Sequence, residues 1–169
     1  SRAVFAGYSS FLTDSHGAYK ENRLADNESL EKELADAVGM EIITAVKQAL
    51  TEFFTTHVAP HYTGYFGIDM MTYRDSQGIV RLHPFVEINL RMNMGMVARK
   101  IADRFLEPGK RGIYQVDYFP KAGELYHDHI ARQAQYPIQI IDGKFRSGYF
   151  ALTPVFPHSR YRASIEIYS

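Results

Sequence analysis

Residues 64–96, GYFGIDMMTYRDSQGIVRLHPFVEINLRMNMGM, constrain the fold more than any other stretch of the chain. Two runs rich in apolar and β-branched residues flank the turn sequence DSQG, a hairpin signature. A strand sends alternate side chains to opposite faces. Glu87, Asn89 and Arg91 therefore share one face of the second strand, and Val86, Ile88 and Leu90 share the other. An acid, an amide and a guanidinium over an apolar layer suit a hard metal ion and a phosphate better than they suit a core. The same alternation also occurs on the solvent-facing side of a half-buried sheet.

The register decides whether Asp69 joins that polar face. With the turn centred on Ser76 and Gln77, Asp69 falls opposite Pro84, on the apolar side. One extra residue in the second strand places it opposite Phe85 and diagonal to Glu87. Proline in sheets is confined to edges, strand starts and bulges, so a β-bulge is predicted near His83-Pro84. Two carboxylates brought close together repel, and one is driven towards its protonated form. A divalent cation removes that conflict. Carboxylate and amide oxygens are hard ligands suited to magnesium or manganese, and Arg91 offers a planar fork for phosphate. The helix expected to begin near Met94 offers free backbone amides to an anion.

The rest of the chain reads as α+β. Residues 3–9 and 17–24 flank TDSHG and predict a hairpin. Asn27 before ESLEKEL reads as a helix N-cap. From Met40 to about His57, Ile42, Val46, Ala49, Phe53 and His57 recur at helical spacing, and Pro60 follows the stop. Strands are predicted over 65–73 and 79–91, and a helix over 94–106 with Val97, Ile101 and Phe105 on one face. GIYQVDYF, then YPIQIIDGKFRSGYFALTPV with its Asp142-Gly143 turn, then YRASIEIY continue as sheet, with a short helix around 122–134. A single domain over 1–169 is expected, a largely antiparallel sheet with two main helices packed on it.

Composition excludes some classes. Lys plus Arg and Asp plus Glu both number 19, giving zero formal charge, which argues against a general nucleic-acid binder. No apolar run approaches the ~18 residues that a membrane span needs. There is no cysteine, so disulfides and Cys-ligated zinc are absent; a cytoplasmic location is the default expectation. The chain opens Ser-Arg-Ala and ends in the alternating run SIEIYS. Both ends read as cut, which suggests a fragment of a longer protein, with a processed chain as the competing explanation.

The segment GYFGIDMM, a turn and VEINLRMNMG resembles the C-terminal, metal-binding portion of ATP-grasp enzymes. Its motif order is like that of the D-alanine–D-alanine ligase branch, and within the superfamily the chain looks closest to uncharacterised bacterial ATP-grasp-like proteins. The resemblance covers about residues 5–105 and is sharp over 64–96. It implies that Asp69, Glu87 and Asn89 ligate the magnesium (or manganese) ions of ATP, and that Arg91 sits near the terminal phosphates as the catalytic cation. The implied activity is ATP-dependent ligation of a small carboxylate to an amine, or less often a thiol, through an acyl phosphate. Residues 1–106 would be the ATP-grasp-like part and 107–169 an additional β-rich segment. The resemblance departs at Gly67, where the ligases often carry a basic residue, and in the long spacing from Asp69 to Glu87. It lacks the first subdomain, with its phosphate-binding lysines and adenine hinge, so the implied partner is a missing N-terminal part of the same protein. The alternatives are a non-catalytic ATP-grasp-derived binding or structural module, and a small β-rich domain whose Glu-x-Asn match is accidental.

Other features read as ordinary structure. His127-Asp128-His129 lies on a helix, where residues two apart diverge, and reads as solvated surface. His57 and His61 suit a helix end, and His83 loop packing. Lys20 and Arg23 read as solvated charge, and Met92, Met94 and Met96 as core.

Overall fold

Alternation and helical spacing resolve, among the described residues, into eight strands and four helices. They are β1 (Phe11–Thr13), β2 (Tyr19–Leu24), α1 (Asn27–Val38), α2 (Met40–His57), β3 (Gly67–Arg74), β4 (Val80–Asn89), α3 (Met94–Phe105), β5 (Gly112–Tyr118), α4 (Glu124–Gln135), β6 (Gln139–Ile141), β7 (Lys144–Ala151) and β8 (Tyr161–Ile167). The structure is a computed structural model describing residues 1–13, 15–17 and 19–168. The strand ladders are antiparallel, so the fold is α+β as expected. None of the helices among the described residues is long and apolar enough to cross a membrane.

The chain forms two compact units, residues 1–8 with 27–97 and residues 9–26 with 98–169. The sequence predicts one domain with a change of character at 106/107; the boundary between the two compact units lies within α3. The β1–β2 hairpin belongs with the C-terminal residues because Glu21–Leu24 of β2 pairs with Gln115–Gly112 of β5.

In the first unit, α2 is apolar around much of its circumference, and packing selects one stripe. Ile43 and Phe54 are the buried residues. The stripe read from the sequence lies beside them, with Ile42 and Phe53 about half exposed. Phe54 packs against Phe66 and Phe85, at centroid separations of 4.8 and 6.4 Å. Residues 3–9 are not a strand. Their backbone groups find helix side chains instead of a ladder: Ala3 N–H donates to Thr55 Oγ1 and Tyr8 N–H to Asn27 Oδ1. Asn27 is itself the first residue of α1. Tyr8 is buried and meets Phe5 edge-on at 4.9 Å.

The second unit holds a six-stranded sheet in the order β1-β2-β5-β8-β7-β6. Its register puts Leu24, Ile167 and Gly112 in one row and Asn22, Tyr114 and Ile165 in the next, all on one face. The side chains of these two rows are buried and, Asn22 apart, apolar. The opposite face carries Gln115, Asp117, Arg162, Ser164 and Glu166. Helix α4 packs on this polar side, through His129 on Tyr149 and Arg132 on Glu166. In α3 the buried residues are Ala98, Arg99, Ile101 and Ala102, while Phe105 is exposed. Of the face expected from the sequence, Ile101 is buried, Val97 is half-buried and Phe105 is exposed, while the adjacent Ala98 and Ala102 are buried. Met92 and Met94 are exposed rather than core.

Candidate functional site

The β3–β4 hairpin brings the predicted acids together, with more distortion than the sequence implied. Asp75–Ile79 forms the turn, where Asp75 Oδ1 accepts the N–H groups of Gln77 and Ile79. This wider turn pairs Arg74 with Val80, and Met71 with His83. The ladder then slips: Asp69 pairs with Glu87, so Pro84, Phe85 and Val86 oppose only Met70. The irregularity lies at the predicted place. It inserts two residues beyond the wider turn rather than one, and it sets Asp69 opposite Glu87 rather than opposite Phe85. Proline cannot donate to a ladder, which explains why the strand breaks there.

Parity then fixes the faces. Gly67, Asp69, Met71 and Tyr73 share a side with Asn89, Glu87, His83 and Arg81. Glu87, His83 and Met71 on this side are exposed. Ile68, Leu82 and Ile88, on the other side, are half-buried. Val86 and Leu90, expected in the apolar layer, are both exposed, because Val86 lies in the slipped stretch and Leu90 beyond the strand end.

Directly opposed residues hold their Cβ atoms about 5 Å apart. Partial burial, and then the Glu87 charge, push the Asp69 carboxyl above its ordinary range; the bond from Asn89 and the charge of Arg91 pull it back. Asn89 Nδ2 donates to Asp69 Oδ2 at 3.4 Å, and Arg91 Nη2 donates to Asn89 Oδ1 at 3.2 Å. Arg91 lies past the end of β4 and is exposed; its N–H donates to Asn89 O in a tight turn at 2.8 Å. Among the described residues no cation lies within ion-pair distance of Glu87. Asp69, Asn89 and Arg91 thus form a chain of contacts, with Glu87 facing Asp69 from the opposite strand.

This donor set fits a hard divalent cation in chemistry: two carboxylates and one amide oxygen on an open face. Among the described residues no group of three or more His, Asp and Glu side chains could hold a metal, so any ion here would rely on Asn89 and on solvent or substrate oxygens. The first turn of α3 is partly engaged already, because Asn93 Oδ1 accepts the Met96 N–H at 2.9 Å. That N-cap is legible in the sequence as Asn before a helical run.

Of His127-Asp128-His129, His127 is exposed as expected, but the other two are not solvated surface. His129 is buried, its Nδ1 2.8 Å from the Tyr149 hydroxyl. Asp128 forms ion pairs with Arg162 at 2.7 Å and Arg132 at 3.2 Å. A second polar cluster therefore lies under α4 in the second unit. No single short motif carries it, since its members come from β5, α4, β7 and β8. Lys20 is exposed beside Glu21 at 3.8 Å. His57 closes α2 with its ring 4.8 Å from Phe53.

No protein-family model matches the chain, and neither curated proteins nor solved structures yield a match to it.

Proposed function

We propose that the exposed face of the β3–β4 hairpin binds a divalent cation, Mg2+ or Mn2+, together with the phosphates of ATP, through Asp69, Glu87 and Asn89 with Arg91 beside them. The observation that carries this reading is the slipped register, which puts two carboxylates opposite each other on an open face, with an amide and a guanidinium next in line. Such a pair costs free energy unless an ion or a proton neutralises it. The cation would supply charge neutralisation for the phosphates, and Arg91 would hold a phosphate oxygen pair as a fork. Asn89 would release the Arg91 guanidinium from its Oδ1 when that oxygen turns to the ion.

The reaction class we assign is ATP-dependent ligation of a carboxylate to an amine, or to a thiol, through an acyl phosphate, in which this chain supplies the cation side of the site. The phosphate-binding lysines and adenine hinge would come from a further ATP-grasp part of the same protein. A second reading, a non-catalytic module derived from such an enzyme, is favoured by one feature. Asp69, Asn89 and Arg91 hydrogen-bond to one another in a chain, so a structural role accounts for their proximity.

Calorimetry with magnesium and a nonhydrolysable ATP analogue separates the two. Magnesium-dependent binding that is lost in both Glu87→Ala and Asn89→Ala supports the catalytic site. Binding unchanged in both variants sinks it, and no binding by the longest native chain favours the module.

A further inference from the structure

Gly67 and Asn93 meet at the end of the hairpin. Gly67 pairs with Asn89 across the ladder, and a methyl group built on Gly67 would overlap the side-chain amide nitrogen of Asn93. The backbone of Gly67 has no positive φ. Glycine is needed there for space, and Asn93 is what fills the space. The same Asn93 side chain turns its oxygen to the Met96 N–H at 2.9 Å, and its backbone carbonyl accepts the Val97 N–H at 3.2 Å. One short side chain thus caps α3 and lies flat on the strand that carries Asp69 two residues further on.

We infer that Asn93 is a positioning residue for the cation site: it holds the Asn89–Arg91 turn against β3 through Gly67. This rests on the cation reading proposed above. Between Asn89 and Asn93 the chain leaves the strand and enters the helix in three residues, so the direction of Arg91 depends on where that connection is pinned. Asn93 holds it at both ends, to the helix by the hydrogen bond to its oxygen and to β3 by the close packing of its amide nitrogen over Gly67.

Asn93→Ser separates the two jobs, because serine caps a helix as well as asparagine but is too short to cover Gly67. The expected result is a melting temperature within about 4 °C of the unsubstituted chain, with affinity for Mn2+ and a nonhydrolysable ATP analogue weakened at least ~10-fold, as removal of a ligand-orienting partner does. Gly67→Ala should weaken binding to a similar degree in the native background and add little on top of Asn93→Ser, since serine leaves room for the methyl group. Unchanged affinity in Asn93→Ser, or fully additive losses, would overturn the inference. If the longest native chain binds neither ion nor nucleotide, the cation reading fails, and what remains of this inference, that Asn93 orients the Asn89 side chain, is decided by the NMR signals of the Asn89 side-chain amide. Displacement of those signals in Asn93→Ser supports the pin, and unmoved signals overturn it.

Discussion

Arg162 and Asp117 face each other across the β5–β8 ladder, with Nε and Nη2 of the guanidinium 3.1 and 2.6 Å from the same carboxylate oxygen. Asp128 approaches Nη1 from α4 at 2.7 Å, and the Arg162 side chain is only 1% exposed. An arginine taken so far out of water is tolerable only while both acids hold it. Asp117→Ala should therefore destabilise the chain by about 3 kcal/mol, the scale for a broken buried pair. Replacing both partners, Arg162→Met with Asp117→Leu, should cost less than the single change. Denaturant unfolding of the three proteins checks this, and a single variant no weaker than the double one contradicts it.

The Asp69 carboxyl is raised by burial and by Glu87. A raised carboxyl binds its proton more readily folded than unfolded, so its unfavourable contribution appears as pH rises through the folded value. Asp69→Asn should melt higher than the native chain at pH 7. The gain should vanish below the ordinary value of 3.8, where both states are protonated. Magnesium should narrow the gap at pH 7 by stabilising only the native chain. Thermal melts from pH 3 to 8, with and without magnesium, give the comparison.

His129 shifts the other way. Burial, and next the Arg162 charge, lower its value, opposed by Asp128. A lowered histidine contributes stability that is complete above the unfolded value of 6.5 and is lost as pH falls through the folded one. The groups facing it are Tyr149, Arg162 and Asp128. Unfolding midpoints should fall between about pH 7 and pH 5, and His129→Gln, which keeps a hydrogen-bonding group near Tyr149, should flatten that fall. An equal slope in native and variant chains would remove His129 from the account.

Two glycines should respond differently to the same change. Gly143 follows Asp142 in the β6–β7 turn, with φ values of 74° and 50°, the signs a type I′ turn needs. A methyl group there meets open space, so Gly143→Ala should cost only the backbone term, about 1 kcal/mol. Gly148 has φ 99°, and its methyl group would overlap the Pro137 carbonyl. Gly148→Ala should cost more than about 2 kcal/mol. Chemical denaturation ranks the two.

Much of this arrangement is legible in the sequence alone. Strand alternation marked β3, β4, β5, β7 and β8, and helical spacing marked α2, α3 and α4, each close to its observed bounds. Pro84 located the break in the second strand of the hairpin. Less legible was which stripe of a helix is buried. α2 offers apolar side chains at 42, 46, 49 and 53 and again at 43, 46, 50 and 54, and spacing alone treats the two alike. Residues 3–9 alternate like a strand, but partners for their backbone lie on α1 and α2, which no local pattern encodes.

The sequence by itself determined the α+β class, the β3–β4 hairpin and the placing of Glu87 and Asn89 on one face of its second strand. These follow from periods of two and of about three and a half, which are properties of the local backbone. Only the tertiary structure decided the size of the register slip that sets Asp69 opposite Glu87, the seating of Asn93 on Gly67, and the burial of Arg162 between Asp117 and Asp128. Each depends on contacts between segments distant along the chain, where competing registers and faces look equivalent until close packing and paired charges choose among them.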